Sequence, residues 1–161
     1  TGVQTCALPI FIFNGLLDRF PNVRWGFLEG GVAWILVAME RFDRSWATHV
    51  HHDPRKQFIQ LKEGEKIADY IRRHMKEGRI FIGCEGEEPD IAHAIDVLGC
   101  NPFLFSSDYP HEVNAEMCKH ELEEIMENKD LSDKDKELIL HGNAEKLYRP
   151  KVSQPKAAKA S

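Results

Sequence analysis

Val23-Arg24-Trp25-Gly26-Phe27-Leu28-Glu29-Gly30-Gly31 is the stretch that decides the fold, together with the run that follows it from Val32 to about Val50. Val23–Glu29 is short and apolar enough, through Trp25, Phe27 and Leu28, to be a buried strand. Gly30-Gly31 makes a tight turn, and Trp34, Leu36, Met39, Phe42 and Trp46 then recur along a long amphipathic helix. A strand, a glycine turn and a helix in that order form one β/α unit.

Two further units follow. Ile67 to about Met75 reads as a short helix broken by Gly78, and Arg79–Glu85 (R-I-F-I-G-C-E) as a second strand. Pro89 opens a helix through Leu98, near the first position where proline is tolerated, and Gly99 closes it. Phe103–Ser107 is the third strand, ending at Asp108-Tyr109-Pro110-His111, with a helix over about Ala115–Asn128 behind it. Ser132 caps a last helix running to about Leu147, with at most a break near Gly142. Upstream, Phe11–Phe20 has helical rhythm and is stopped by Pro21-Asn22. The alternation predicts an α/β fold with parallel strands joined by right-handed crossovers.

Three such units cannot close a barrel. A (β/α)8 barrel needs about 250 residues, and this chain has 161. Its first ten, Thr1–Ile10, resemble the translation of a sequencing-adapter oligonucleotide, so the domain is expected to span residues 11–149; a genuine N-terminal loop is the alternative. Residues 150–161, rich in Lys, Ala, Pro and Ser, are expected to form a disordered tail.

Composition narrows the function. With 42% hydrophobic and 29% charged residues the chain reads as globular, and a net charge of −5 argues against a nucleic-acid partner. No run approaches the ~18 apolar residues of a membrane span. Cys6, Cys84, Cys100 and Cys118 form no C-x-x-C pair, which fits neither a zinc knuckle nor a disulfide framework and makes a cytoplasmic setting the expectation. In parallel α/β folds the chemistry gathers at the C-terminal strand ends. Here those ends carry Glu29, the Cys84-Glu85-Gly86-Glu87-Glu88 run, and Asp108 with His111. Carboxylates and a histidine at strand ends are what a divalent-metal site requires.

Three segments carry a family resemblance. Phe105-Ser106-Ser107-Asp108-Tyr109-Pro110-His111 resembles the G-S-D-Y-P-H segment of the amidohydrolase-related family that includes aminocarboxymuconate-semialdehyde decarboxylase. Arg19–Arg24 with Gly26–Gly31 is similar to that family's strand six, and Gly142-Asn143-Ala144-Glu145-Lys146-Leu147-Tyr148 to its closing helix. The match runs from about Ile12 to Tyr148 in the right order.

The resemblance implies strands six to eight of a TIM-like barrel with one divalent metal, usually zinc, and a small carboxylated or cyclic substrate undergoing hydrolysis or non-oxidative decarboxylation. Of the implied metal ligands, an H-x-H pair, a middle-strand histidine and the aspartate after strand eight, only the aspartate maps here, onto Asp108. The others are expected upstream of residue 11. That aspartate can also accept a proton from bound water. His111 either contacts the substrate or fixes its loop by a hydrogen bond. Glu29 stands where many members carry a histidine; it can carry a proton but cannot act as an imidazolium, which points to a distinct subgroup. Its alternative role is to cap the helix after Gly31. Glu87 and Glu88 read as solvated surface, and Glu85 is left open.

His49-Val50-His51-His52 contains the H-x-H spacing but follows a helix rather than a strand, so it reads as a solvated loop. Trp25, Trp34 and Trp46 read as core or interface. A competing expectation is that this polypeptide alone is inert, a fragment or an interaction module. The implied parent takes a small molecule, needs neither nucleic acid nor membrane, and leaves a homo-oligomer open.

Overall fold

The computed structural model describes residues 9–49, 58–111 and 113–149. Residues 9–13 form a first helical turn, α1, followed by α2 (Leu16–Arg19), β1 (Trp25–Phe27), α3 (Ala33–His49), α4 (Ile67–Lys76) and β2 (Ile80–Cys84). Next come α5 (Ile91–Leu98), β3 (Phe103–Phe105), α6 (Ala115–Glu127), α7 (Asp133–Glu137), a π-helical turn (Leu138–Gly142) and α8 (Asn143–Tyr148). The strands form one parallel sheet in the order β1-β2-β3. The α/β architecture expected from the sequence is present, with each strand a few residues shorter than its apolar run.

Two elements differ from the sequence reading. The helix expected over Phe11–Phe20 is split at Gly15, which takes φ +62; a Cβ there would lie 2.9 Å from the Phe58 carbonyl oxygen. The helix also takes in residues 9 and 10, two of the ten set aside as a leader. The final helix runs without a gap from Asp133 to Tyr148, but its middle turn, Leu138–Gly142, is π-helical. α5 begins at Ile91 with Asp90 as its N-cap, two residues after the expected opening at Pro89, and Gly99 ends it at φ +64 as a left-handed C-cap. The expected tail and His51-His52 lie outside the described residues.

Register separates the two faces of the sheet. Trp25 pairs with Ile80, Phe27 with Ile82, Ile82 with Phe103 and Cys84 with Phe105. These residues share one face and pack with Ile35, Met39, Ile71, Ile91 and Leu98 into the main core. Phe11 meets Trp25 edge-on at 4.5 Å, Phe27 meets Trp34 at 5.8 Å and Phe13 stacks on Trp46 at 6.1 Å. All three tryptophans are therefore packing residues. Burying one such aromatic side chain contributes roughly 1.5–3 kcal/mol.

The opposite face carries Gly26, Phe81, Gly83 and Leu104. Phe81 and Leu104 are buried there, and a Cβ on Gly26 would come within 2.9 Å of Leu147 from α8. Asn143 at the start of α8 is buried and donates to the carbonyls of Phe103 (2.7 Å) and Asn101 (2.9 Å) at the entry of β3. The Arg24 guanidinium, just before β1, donates to the Lys146 carbonyl. These contacts carry α8 across the N-terminal ends of the strands and leave their C-terminal ends for other work.

Candidate active site

The strands are parallel, so all three exit at one edge of the sheet: β1 into Glu29, β2 into Glu85 and β3 into Ser106-Ser107-Asp108. Glu85 lies between the other two exits, since neighbouring strands are ~4.8 Å apart. Glu29 and Asp108 share an uncommon backbone. Among the described residues only Glu29 (φ 59), Asp108 (φ 55) and Arg149 (φ 45) are non-glycines at positive φ. The left-handed region costs a non-glycine residue roughly 1–2 kcal/mol, and strain of this kind concentrates where a side chain must be aimed. Both acids singled out from the sequence carry it.

The β3 exit is tightly turned. The Tyr109 amide donates to the Ser107 hydroxyl (3.4 Å), the His111 amide donates to the Asp108 carbonyl (3.0 Å), and Tyr109-Pro110 is cis. Asp108 is half-buried, whereas the His111 side chain is exposed. It is thus the backbone of His111 that closes this turn. Glu29 is exposed at the end of an edge strand.

Sequence reasoning left Glu85 open and fell short at Glu88. Glu85 is half-buried, and its carboxyl is held above the usual range first by burial, then by the charges of Glu88, Glu87 and Asp108. Glu85 is thus close enough to Asp108 to feel its charge. Glu88 is not solvated surface as expected. Its carboxylate accepts the Val32 amide at the entry of α3 and, through Oε1, the Glu85 amide at 2.9 Å. The charge that meets the N-terminus of α3 is therefore Glu88, where the sequence had offered Glu29 as the cap. Glu87 is exposed, as expected.

Behind the β2 exit, Gly86 packs on the backbone of α6: a Cβ there would lie 2.2 Å from the Glu121 carbonyl oxygen. Burial, with Glu85, Glu87 and Glu124, raises the Glu121 carboxyl. Glu121 Oε2 is buried without a hydrogen-bond partner. The negative edge thus runs from the strand exits onto α6.

α3 begins at the strand-exit side, and His49 is its last residue. At 1.5 Å per residue the helix runs roughly 25 Å, so its C-terminus is far from the acids. A groove between α3, α4 and α5, lined by Leu36, Asp43, Arg72, His93 and Val97, opens on the helical face rather than at the strand exits.

The sequence model of a family described as amidohydrolase matches residues 4–149. This chain belongs to that family. No curated protein matches it. Among solved structures, an amidohydrolase from Mycobacterium avium subsp. paratuberculosis K-10 is similar over 85% of this chain and 31% of its own, with 22% identity and a TM-score of 0.61. A 5-carboxyvanillate decarboxylase from Novosphingobium aromaticivorans DSM 12444 is similar over 91% of this chain and 39% of its own, with 19% identity and a TM-score of 0.66. The latter was solved with manganese and 3-methoxy-4-hydroxy-5-nitrobenzoic acid bound. At such identities the likeness concerns the fold. The chain spans about a third of the length of either structure.

Amidohydrolases of this family are metal-dependent enzymes, which poses a direct question to the residues at the strand exits. Asp108 offers hard oxygen donors that suit a divalent ion. Among the described residues, however, no three His, Cys, Asp or Glu side chains are grouped so as to hold one. The described residues therefore do not make a metal centre by themselves, and the carboxylate of Asp108 fits only as one member of a ligand set. No helix among the described residues is long and apolar enough to cross a membrane.

Proposed function

We propose that this chain is the portion of an amidohydrolase-type TIM-like barrel that holds strands six to eight. The barrel would perform metal-dependent hydrolysis or non-oxidative decarboxylation of a small carboxylated or cyclic substrate. The observation that carries this reading is Asp108, held in a strained left-handed conformation at the exit of a buried parallel strand, beside the half-buried Glu85.

In this reading Asp108 is a ligand to one divalent metal, zinc, whose other ligands come from outside the described residues. When bound, such an ion polarises a substrate oxygen. Glu29 orients the substrate or carries a proton, and its exposure at the β1 exit keeps it accessible to both roles. His111, exposed on the turn after β3, contacts the substrate. Glu85, whose carboxyl is held above the usual range by burial and by the charges of Glu88, Glu87 and Asp108, is a second group able to hold a proton at this edge. The acidic strand exits of a chain with net charge −5 suit a metal and a small molecule, without nucleic acid or membrane as partners. Free Cys84, Cys100 and Cys118 support a cytoplasmic setting. The decarboxylase neighbour, named for an aromatic carboxylate, favours a carboxylated ring as substrate.

The test is Asp108→Asn in an enzyme form that includes the upstream strands. Activity should be abolished and metal uptake weakened; an unchanged enzyme would overturn the assignment. A second reading, that the 161-residue chain alone is a non-catalytic module, is favoured by the lack of a three-ligand cluster among the described residues. It predicts no turnover by this polypeptide under any metal.

A further inference from the structure

Glu88 links segments that are 56 residues apart in sequence. One oxygen of its carboxylate takes the Val32 amide in the loop after β1, and the other takes the Glu85 amide in the loop after β2. The room for this link is made by Gly31. At φ +66 its missing Cβ would lie 2.9 Å from Glu88 Oε2, so any side chain there would both strain the backbone and push the carboxylate away. The other side of the β2 loop is pinned by Gly86 against the backbone of Glu121. Two glycines and one carboxylate therefore fix the β2 exit between α3 and α6.

We propose that Glu88 is a positioning residue of the candidate site: its two-amide clamp sets the β1 exit against the β2 exit, and so places Glu29 relative to Glu85. The chemistry follows from what each loop lacks. The Val32 amide stands at a helix N-terminus, where the first N–H groups have no partner within the helix, and the Glu85 amide follows a strand that has just ended. A single carboxylate satisfies both and brings negative charge to the positive end of α3. Glu29 lies three residues before Val32, in a left-handed conformation that a loose loop would relax. The clamp deepens the active-site reading given above and rests on it for its meaning, though not for its existence.

Hydrogen exchange read by mass spectrometry on the 161-residue chain, with Glu88→Ala and Glu88→Gln, tests the clamp without metal or substrate. In Glu88→Ala, exchange should rise roughly tenfold or more in peptides covering both 29–33 and 84–88, while the α4 and β3 peptides stay as they are. Gln has one acceptor oxygen, so Glu88→Gln should spare one of the two segments and loosen the other. That split is one a general loss of stability cannot produce, and the near-isosteric Gln keeps the test available if the Ala variant fails to fold. Faster exchange confined to 84–88 in both variants, or an equal rise along the whole chain, overturns the proposal. Because neither readout involves Asp108, an Asp108→Asn enzyme that stays active would refute the metal reading and leave the clamp standing. An uncoupled clamp would leave the metal reading intact.

Discussion

Lowering the pH should destabilise this protein through one buried histidine. His74 on α4 is only 3% exposed, packs edge-on against Tyr70 at 4.5 Å, and is approached by the Arg73 and Arg79 guanidiniums at 3.4 and 3.3 Å. Burial, then Arg73 and Arg79, lower its pKa from 6.5 to about 4, against a smaller opposing pull from Glu77 and Asp18. The folded value lies below the unfolded one, so the unfolded chain binds the extra proton first. His74 therefore costs nothing above pH 6.5, and stability is lost progressively as the pH falls from there to about 4. At ~1.4 kcal/mol per pH unit, the loss is about 2 kcal/mol by pH 5 and about 3 kcal/mol in full. The assay is urea denaturation at pH values from about 7.5 down to about 5, spanning the titration, on the parent and on His74→Gln, which stays neutral throughout. Carboxylates such as Glu65, which Arg73 holds low, titrate in both proteins and cancel in the difference. The parent should lose about 2 kcal/mol more than His74→Gln between pH 6.5 and 5. Parallel curves would refute the reasoning.

Gly86→Ala would place a Cβ 2.2 Å from the Glu121 carbonyl oxygen, a backbone atom that cannot swing aside. It should cost at least ~1–3 kcal/mol, read as a drop in melting temperature together with loss of the α6 contact. Asn143→Ala removes both donors to the Phe103 and Asn101 carbonyls. Leaving those acceptors unmet should cost roughly 2–4 kcal/mol, measured by chemical denaturation; a cost below ~0.5 kcal/mol would show that α8 does not depend on the bond. Among the described residues β1 and β3 each pair on one side only, and such edges associate. The isolated chain should elute as oligomers in light-scattering chromatography, and a sharp monomer peak with cooperative unfolding would contradict this.

Much of the fold was legible because its signals are local. The glycine turn at Gly30-Gly31, the apolar runs of β2 and β3, the C-cap at Gly99 and the N-cap at Ser132 are written within a few residues of where they act, and each element is found there. The break at Gly15 was not legible, because it is imposed by the backbone of Phe58 more than forty residues away. Site residues divide in the same way. Asp108 and Glu29 could be named from their places after strands, and Asp108 also from its motif. Glu88 was misread as surface, because a run of like charges normally is solvated and its partner Val32 lies on another strand's loop. Its spacing three residues after Glu85, at a strand exit before a helix, was the one local hint of a turn-closing carboxylate. His74 and Arg79 carried no hint at all. Arg79 acts at a distance, donating at 2.8 Å to the carbonyls of Leu17 in α2 and of Phe20 just after it.

Zinc content of the expressed 161-residue chain, together with thermal unfolding with and without added zinc, tests the central claim most directly. The account makes Asp108 one ligand of a set completed elsewhere in the barrel. It predicts no stoichiometric zinc after dialysis and no rise in melting temperature on adding it. One zinc retained per chain, and lost on Asp108→Asn, would contradict it, because the histidines and carboxylates of this chain would then complete the site themselves.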